Sequence, residues 1–221
     1  METTLEVRWF VQGIPPAAVQ HWFNFECSGK LLGKLETRED LYACFQSDRL
    51  HDFARFSSQQ LIPEAVNLKL RQGNLELKLR QQEFGNHRFS QVKHLHTCEG
   101  KVEQWHKFDR QELKDFSLLN GDLPNELDWV SVHKERKQKI EQGVKSELTR
   151  LKINRQYWWS VAFEMTQEHS EQKDSCFEKV VKRACQTYAG SELLAINSYG
   201  YSQWLLRFSA QAILSKRQLK P

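Results

Sequence analysis

The stretch VNLKLRQGNLELKLR, residues 66–80, alternates apolar and polar side chains on both sides of a short connection that contains Gly73. Two alternating runs joined by so few residues are typical of a β-hairpin. Successive strand residues point to opposite faces, so this hairpin separates a Leu- and Val-rich face from a polar, mostly charged one. The polar face carries Asn67, Lys69, Arg71, Glu76, Lys78 and Arg80.

Similar alternation recurs along the chain and predicts further strands. They cover about 4–11, 34–45, 101–108, 129–136, 145–153 and 157–165, with helices near 16–25 and 170–188 and a last strand or helix at 199–208. Many strands with few helices between them favour a meandering antiparallel sheet, and closure into a barrel removes its edges. The predicted fold class is α+β: a closed or nearly closed antiparallel β-barrel, or tunnel, with flanking helices. We expect one domain over 1–221, with a frayed tail at 215–221.

Composition limits the partners. Of the 221 residues, 32 are Lys or Arg and 28 are Asp or Glu, and the resulting charge of +4 is too small to indicate a nucleic-acid partner by itself. No apolar run approaches the roughly 18–20 residues of a membrane helix, so no membrane partner is expected. The first residues do not resemble a signal peptide, and the five cysteines lack C-x-x-C spacing. We therefore expect a cytoplasmic protein with free thiols.

The polar faces of several strands could meet inside a barrel. Besides the hairpin, Thr4, Glu6 and Arg8 alternate on the first strand, and Lys134 and Arg136 alternate on a later one. If the helices cover an apolar exterior, these charges converge on a wet interior. Enclosed Lys and Arg then require paired carboxylates or an anionic ligand, and phosphate oxygens suit them. The alternative is an apolar core with solvated charges.

The order of these motifs resembles that of the CYTH superfamily, also called triphosphate tunnel metalloenzymes. The segment 4–8, TLEVR, resembles its first strand, E-x-E-x-K, with Thr4 and Arg8 in place of Glu and Lys. Both runs of the hairpin resemble the central basic strands, and 129–136 resembles the strand with a K-x-R pair. Residues 146–149 and 160–164 resemble the last acidic strands, and 198–205 resembles the Ser-Tyr…Leu-Leu ending.

The resemblance implies a set of site residues. Phosphate would be bound by Arg8, Lys69, Arg71, Lys78, Arg80, Lys134 and Arg136, and Mg²⁺ or Mn²⁺ by Glu6, Glu147 and Glu164. Because Thr4, Thr149 and Ala162 stand where the family has carboxylates, two-metal chemistry lacks ligands. We expect binding of a polyanion (triphosphate, polyphosphate or nucleotide) with weak or no metal-dependent phosphohydrolase activity. An active form would be a triphosphatase, in which water attacks the terminal phosphoryl group.

Other interpretations remain open. Glu6 could simply pair with Arg8, and Glu147 and Glu164 could be surface residues. The segment 94–98, HLHTC, contains zinc-type ligands, but steps of roughly 6.5 Å along a strand place three of them too far apart for one ion. An RNA-binding module would use basic patches interleaved with stacking aromatic residues, and a protein-interaction module would use the helix at 175–188 or the tail. The tryptophans mostly share the apolar face of the strands, which favours packing; the five considered are Trp9, Trp22, Trp105, Trp158 and Trp159.

Overall fold

The structure, a computed structural model, describes residues 2–45, 50, 62–90, 97–108, 127–167 and 172–218, without the side chains of 172–174 and 210–218. Its strands are β1 Glu2–Gln12, β2 Lys30–Leu31, β3 Glu36–Ala43, β4 Val66–Arg71, β5 Asn74–Arg88, β6 Glu99–Phe108, β7 Trp129–Glu141, β8 Val144–Ile153 and β9 Gln156–Gln167. Its α-helices are α1 Ala17–His21, α2 Gln172–Gln186 and α3 Tyr201–Gln218. A π-helical segment, Trp22–Glu26, continues α1, and Pro63–Ala65 and Ala195–Asn197 are 3₁₀ turns.

Eight antiparallel strands close into a barrel. Their order is β7-β3-β4-β5-β6-β1-β9-β8, and β8 pairs again with β7. The short strand β2 extends the sheet beside Lys139 and Ile140 of β7. This architecture confirms the predicted α+β barrel with flanking helices.

Two-residue turns connect neighbouring strands at three places. The backbone φ is positive at both positions of Gln72-Gly73, Gln142-Gly143 and Asn154-Arg155. Turns with two positive φ angles match the right-handed twist of the flanking strands, which is why they join tight hairpins. The predicted 66–80 hairpin is confirmed, and Asn74 already belongs to β5, where it pairs with Arg71.

The apolar outer face of β1, β9 and β8, which follow one another in the sheet, is covered by helices, as predicted. Leu5, Val7 and Trp9 of β1 belong to one buried cluster with residues of α1, the π-helical segment and α2. The helical members are Val19, Trp22, Phe23, Phe177, Val180, Val181, Ala184 and Cys185. A polar link supplements the packing, because the Trp22 indole N–H donates to the carbonyl of Ala184 at 3.1 Å.

The hairpin leucines also face outward, away from the barrel interior. Leu68, Leu77 and Leu79 are fully buried in a second cluster that includes Phe45 and Phe108. The leucines therefore form a core outside the barrel wall, and the charged side chains between them along the strands point inward. The alternative in which leucines fill the interior is wrong.

The first part of α3 packs across one end of the barrel. Its Tyr201 and Trp204 join inward-facing apolar residues of the strands, including Phe10 and Trp158. The segment 199–208, predicted as a strand or helix, is mainly helical, and α3 continues to Gln218, past the expected start of a frayed tail. The sequence also predicts an irregular connection over about 47–63, and most of it lies outside the described residues. None of the helices in the described part of the chain has the length and apolar content needed to cross a bilayer.

Replacing Leu77 with Ala should destabilise the protein by about 3 kcal/mol, because the substitution leaves a cavity in a fully buried cluster. The free energy of unfolding in urea measures the loss. Leu75→Ala is the matched control on the same strand: Leu75 is only partly buried against that cluster, so its loss should be clearly smaller. Equal losses would contradict this assignment of the outer face.

Candidate functional site

Inward-facing side chains surround a cavity of about 230 Å³ inside the barrel, here called the barrel cavity. Nine of the ten predicted site residues line it: Glu6, Arg8, Lys69, Arg71, Lys78, Lys134, Arg136, Glu147 and Glu164. They come from β1, β4, β5, β7, β8 and β9, strands that lie far apart in sequence. The structure thus brings these residues together around one cavity. Their roles in binding phosphate or metal stay predictions.

Arg80 is the exception. Its guanidinium pairs with the buried carboxylate of Glu103 at 2.6 Å and with Glu83 at 3.4 Å, and it is not among the residues that line the barrel cavity. Arg80 is still paired in register with Trp105 of β6, and the β5–β6 register shifts only after it. Its predicted role in phosphate binding stays a prediction.

Sequence reasoning missed other lining residues, which include Glu2, Arg38, Tyr42, Asn67, Glu76, Lys107, Lys145 and Tyr201. The sequence of β3 contains a pattern that indicates inward-facing residues: Glu36, Arg38, Asp40 and Tyr42 alternate in the same way as the predicted site residues of the other strands. Tyr201 gave no such signal, because it reaches the cavity from the first turn of a helix whose position the sequence does not define.

A buried carboxylate, Asp40, is surrounded by cations. Its oxygens lie 3.2 Å from Arg38 Nε, 3.3 Å from Arg71 Nε and 3.1 Å from Lys134 Nζ. Burial alone would raise the pKa of Asp40, but Lys134 and the nearby guanidinium groups outweigh burial and lower it to about 2. Asp40 is therefore a permanent anion, and several cations share it.

The two lysines of this group have lowered pKa values. Burial and the neighbouring Arg71 lower the pKa of Lys69 to about 8, although Glu76 at 2.9 Å opposes the shift. Burial also lowers the pKa of Lys134 well below its ordinary value; Asp40 opposes this, whereas Lys69 adds to it. The Lys134 ammonium lies 3.8 Å from the centre of the Tyr201 ring and contacts the Tyr42 hydroxyl. The neighbouring carboxylates Asp40 and Glu76 therefore do not fully offset the cost of burying these two lysines.

Arg8 links two of the predicted metal ligands. Its Nε donates to Glu6 at 2.7 Å and its Nη1 to Glu147 at 2.9 Å. Burial would raise the pKa of Glu147, but Arg8 and Arg136 outweigh it and hold that pKa well below its usual range. Glu147 is 7% exposed, so its interpretation as a surface residue is wrong.

Glu164 is partly enclosed and pairs with Lys78 at 2.7 Å. Burial would raise the pKa of Glu164, whereas Lys78 outweighs it and lowers that pKa. The expected surface position of this residue is wrong as well, because it lines the barrel cavity.

The three predicted metal ligands do not fit Mg²⁺ or Mn²⁺. Each of these carboxylates already accepts a hydrogen bond from a cation, and Glu147 accepts further ones from Thr149 and Gln138 at 2.8 and 3.2 Å. Among the described residues, no three acidic, His or Cys side chains are arranged to hold one metal ion. A divalent ion needs several free oxygen ligands, and here guanidinium and ammonium groups occupy them.

Positive charge exceeds negative charge around the cavity. Nine Lys and Arg side chains line it: Arg8, Arg38, Lys69, Arg71, Lys78, Lys107, Lys134, Arg136 and Lys145. Facing them are five lining glutamates together with Glu36 and Asp40, which pair with members of this set. Lys145, which is exposed, has neither an ion pair nor a hydrogen bond within the described part of the chain. The surplus favours an anionic guest.

The structure places neither the proposed zinc-type ligands nor the tryptophans at an exposed binding site within the described residues. His94 and His96 are outside the described residues, and Cys98 is buried in the cluster that α2 covers. All five tryptophans considered for base stacking are at most 8% exposed. They are packed residues, as predicted: Trp9, Trp22 and Trp159 belong to the outer apolar cluster, whereas Trp158 faces inward and Trp105 lines the barrel cavity.

Comparison with known proteins gives structural neighbours only. No family model and no curated relative matches the chain. A protein of Pyrococcus horikoshii OT3 matches with 16% identity and a TM-score of 0.45, over 92% of this chain and 98% of that one. A conserved hypothetical protein of Pyrococcus furiosus matches with 13% identity and a TM-score of 0.42, over 90% and 98%. The RNA triphosphatase Pct1 of S. pombe matches with 10% identity and a TM-score of 0.40, over 83% and 80%.

These similarities transfer no activity to this chain. The assignment to the CYTH superfamily therefore stays a prediction, and the site itself has to support any function.

The stability of Lys69→Met relative to the wild-type protein should be greatest near pH 7, because burial and Arg71 lower the folded pKa of Lys69 to about 8 and so disfavour its charged form in the folded state. Between pH 8 and about 10.5 the unfolded chain binds more protons at this site than the folded one, so wild-type stability rises with pH there. The advantage of K69M should shrink over that window. Urea unfolding of both proteins from pH 7 to 10 measures it, and a constant difference would contradict the lowered pKa.

Proposed function

We propose that the barrel cavity binds a polyanion of the triphosphate, polyphosphate or nucleotide type. The observation that carries this proposal is the group of four cations, Arg38, Lys69, Arg71 and Lys134, around Asp40. Lysines with lowered pKa values are costly to the folded protein, and such perturbed groups cluster at functional sites. A bound anion would supply the missing negative charge and favour the protonated lysines.

The size and donors of the cavity suit a short phosphate chain. About 230 Å³ is less than the roughly 300–1,000 Å³ of sites for drug-sized ligands, and the donors come from opposite walls of the barrel. Guanidinium groups offer paired N–H donors to phosphate oxygens, and ammonium groups act as point charges. A folded macromolecule could offer only a terminal phosphate group to this interior.

We further propose that turnover is weak or absent. Activation of water at a phosphoryl group by a metal requires free oxygen ligands, and the carboxylates predicted for that role are engaged by Arg8, Arg136 and Lys78. We expect no phosphate release from tripolyphosphate or ATP above background in Mg²⁺ or Mn²⁺. The free cysteines of the described residues fit our proposal of a cytoplasmic location.

The double variant K69A/R71A should lose the thermal stabilisation that tripolyphosphate gives the wild-type protein, because both side chains line the cavity. The matched control is R150A/K152A on β8. This control also removes one Arg and one Lys two residues apart, but these lie on the outer side of the barrel near Tyr157. Its stabilisation by tripolyphosphate should remain within about 1 °C of the wild-type shift.

Two results would contradict the polyanion proposal. One is a wild-type protein that shows no shift with tripolyphosphate, long-chain polyphosphate or nucleoside triphosphates. The other is equal loss in the two double variants, which would indicate only a general charge effect. Salt-dependent retention of RNA by both the wild type and K69A/R71A would instead favour a nucleic-acid surface elsewhere.

Affinity for tripolyphosphate should fall about tenfold between pH 7 and pH 9, because about nine-tenths of Lys69 is neutral at pH 9 when its pKa is about 8. Lys69→Arg is the control, since a guanidinium keeps its charge over this range. Calorimetric titrations at both pH values measure the effect. The proton of Lys69 plays no part if wild type and K69R lose affinity equally.

A further inference from the structure

Arg8 occupies the space between two carboxylates of the barrel cavity. Its guanidinium joins Glu6 and Glu147 through two different nitrogens, and its Nη1 also lies 3.4 Å from the Ser160 hydroxyl. Arg8 is only 6% exposed and lies 4.8 Å from the centre of the Tyr201 ring. The side chain is thus fixed on several sides.

Two carboxylates in an enclosed cavity need a cation, which could be a divalent ion or a side chain. A divalent ion between Glu6 and Glu147 would have carboxylate oxygens and nearby hydroxyls as ligands, together with water. The guanidinium of Arg8 already donates a hydrogen bond of normal length to each of the two carboxylates. A cation from solution can bind there only if it displaces a buried, doubly paired arginine, which is costly.

We propose that Arg8 is a built-in cation that takes the place of a divalent metal between Glu6 and Glu147, so that the cavity binds its anion without a metal. The part that concerns the anion rests on the proposed function. The part that concerns the metal does not, because it can be measured on the ligand-free protein.

The neighbours of the bridge support this role. Arg136 donates to the other oxygen of Glu147 at 3.0 Å, so this carboxylate is held from two sides by cations of the chain itself. Lys78 lies 3.9 Å from Glu6 and 2.7 Å from Glu164. The acidic side chains of the cavity are thus arranged as counter-ions of fixed cations. Their function in this arrangement is to position Arg8, Arg136 and Lys78 for a ligand.

The metal part is tested by titrating Mn²⁺ alone into the full-length ligand-free protein, with calorimetry and the electron paramagnetic resonance signal of the bound ion. Wild type should show no specific site. Arg8→Ala removes the guanidinium that joins the two carboxylates and should create a site that binds Mn²⁺ at least about tenfold more tightly than wild type does. In R8A/E147Q that gain should disappear, because one of the two ligands has lost its charge.

Arg136→Ala is the matched control. It also removes a cation from Glu147, but it leaves Arg8 between the two carboxylates, so Mn²⁺ affinity should stay at the wild-type level. Three results would overturn the inference: wild type binds Mn²⁺ as tightly as R8A does, R8A binds it no more tightly than wild type, or R136A gains as much Mn²⁺ affinity as R8A. If R8A fails to fold, Arg8→Lys is titrated with Mn²⁺ in its place. One ammonium cannot hold both carboxylates as the two guanidinium nitrogens do, so R8K should bind Mn²⁺ more tightly than wild type, and no gain would overturn the inference.

The anion part is tested with tripolyphosphate and wild type, in EDTA and in Mg²⁺. Binding in EDTA supports the inference. Binding that requires Mg²⁺ overturns it but leaves the proposed function intact. Absence of binding under both conditions would defeat the proposed function, whereas the Mn²⁺ titrations would still decide the role of Arg8 as a cation.

Discussion

Charge compensation inside a closed barrel is the constraint on which the rest of this structure depends. A charge enclosed away from bulk water is costly unless an opposite charge and hydrogen bonds satisfy it. The pair of hydrogen bonds from Arg8 to Glu6 and Glu147 meets this requirement on β1 and β8, and the contacts around Asp40 meet it only in part on β3, β4 and β7. The cavity therefore has a balanced region and a region with surplus positive charge.

The same alternation explains why the fold needs its helices. When the polar side chains of a strand face inward, the apolar ones face outward, where water would meet them. On β1, Val7 and Trp9 are covered by α1, the π-helical segment and α2. On the hairpin, Leu68 and Leu77 are covered by a separate apolar cluster. Two of the apolar clusters thus form a layer around the barrel, and a third, which includes Phe10 and Trp158, fills one end of its interior.

The sequence predicts those features that depend on a period of two. Alternation at 66–80 indicates both the hairpin and the face that carries Lys69 and Arg71, and the same rule places Glu6 and Glu147 inside once the barrel is closed. It does not reveal that Arg80 is engaged by Glu103 and Glu83, because these contacts depend on the paired strands rather than on residue types. Alternation does indicate one partner of Arg8, since Glu6 lies two residues away on the same face. The contact of Arg8 with Glu147 depends on the three-dimensional arrangement of β1 and β8 around β9, not on any local motif.

A guanidinium and a divalent metal neutralise two enclosed carboxylates in different ways. A metal can leave, so its site is acidic and unstable when empty, and it brings a bound water that can attack a phosphoryl group. Arg8 cannot leave and carries no such water. Its positive charge stays between Glu6 and Glu147, and the chemistry of an activated water is lost. In the function that we propose, such a cavity is poorly suited to cleaving a polyanion, and the cations around Asp40 are where the ligand gains most.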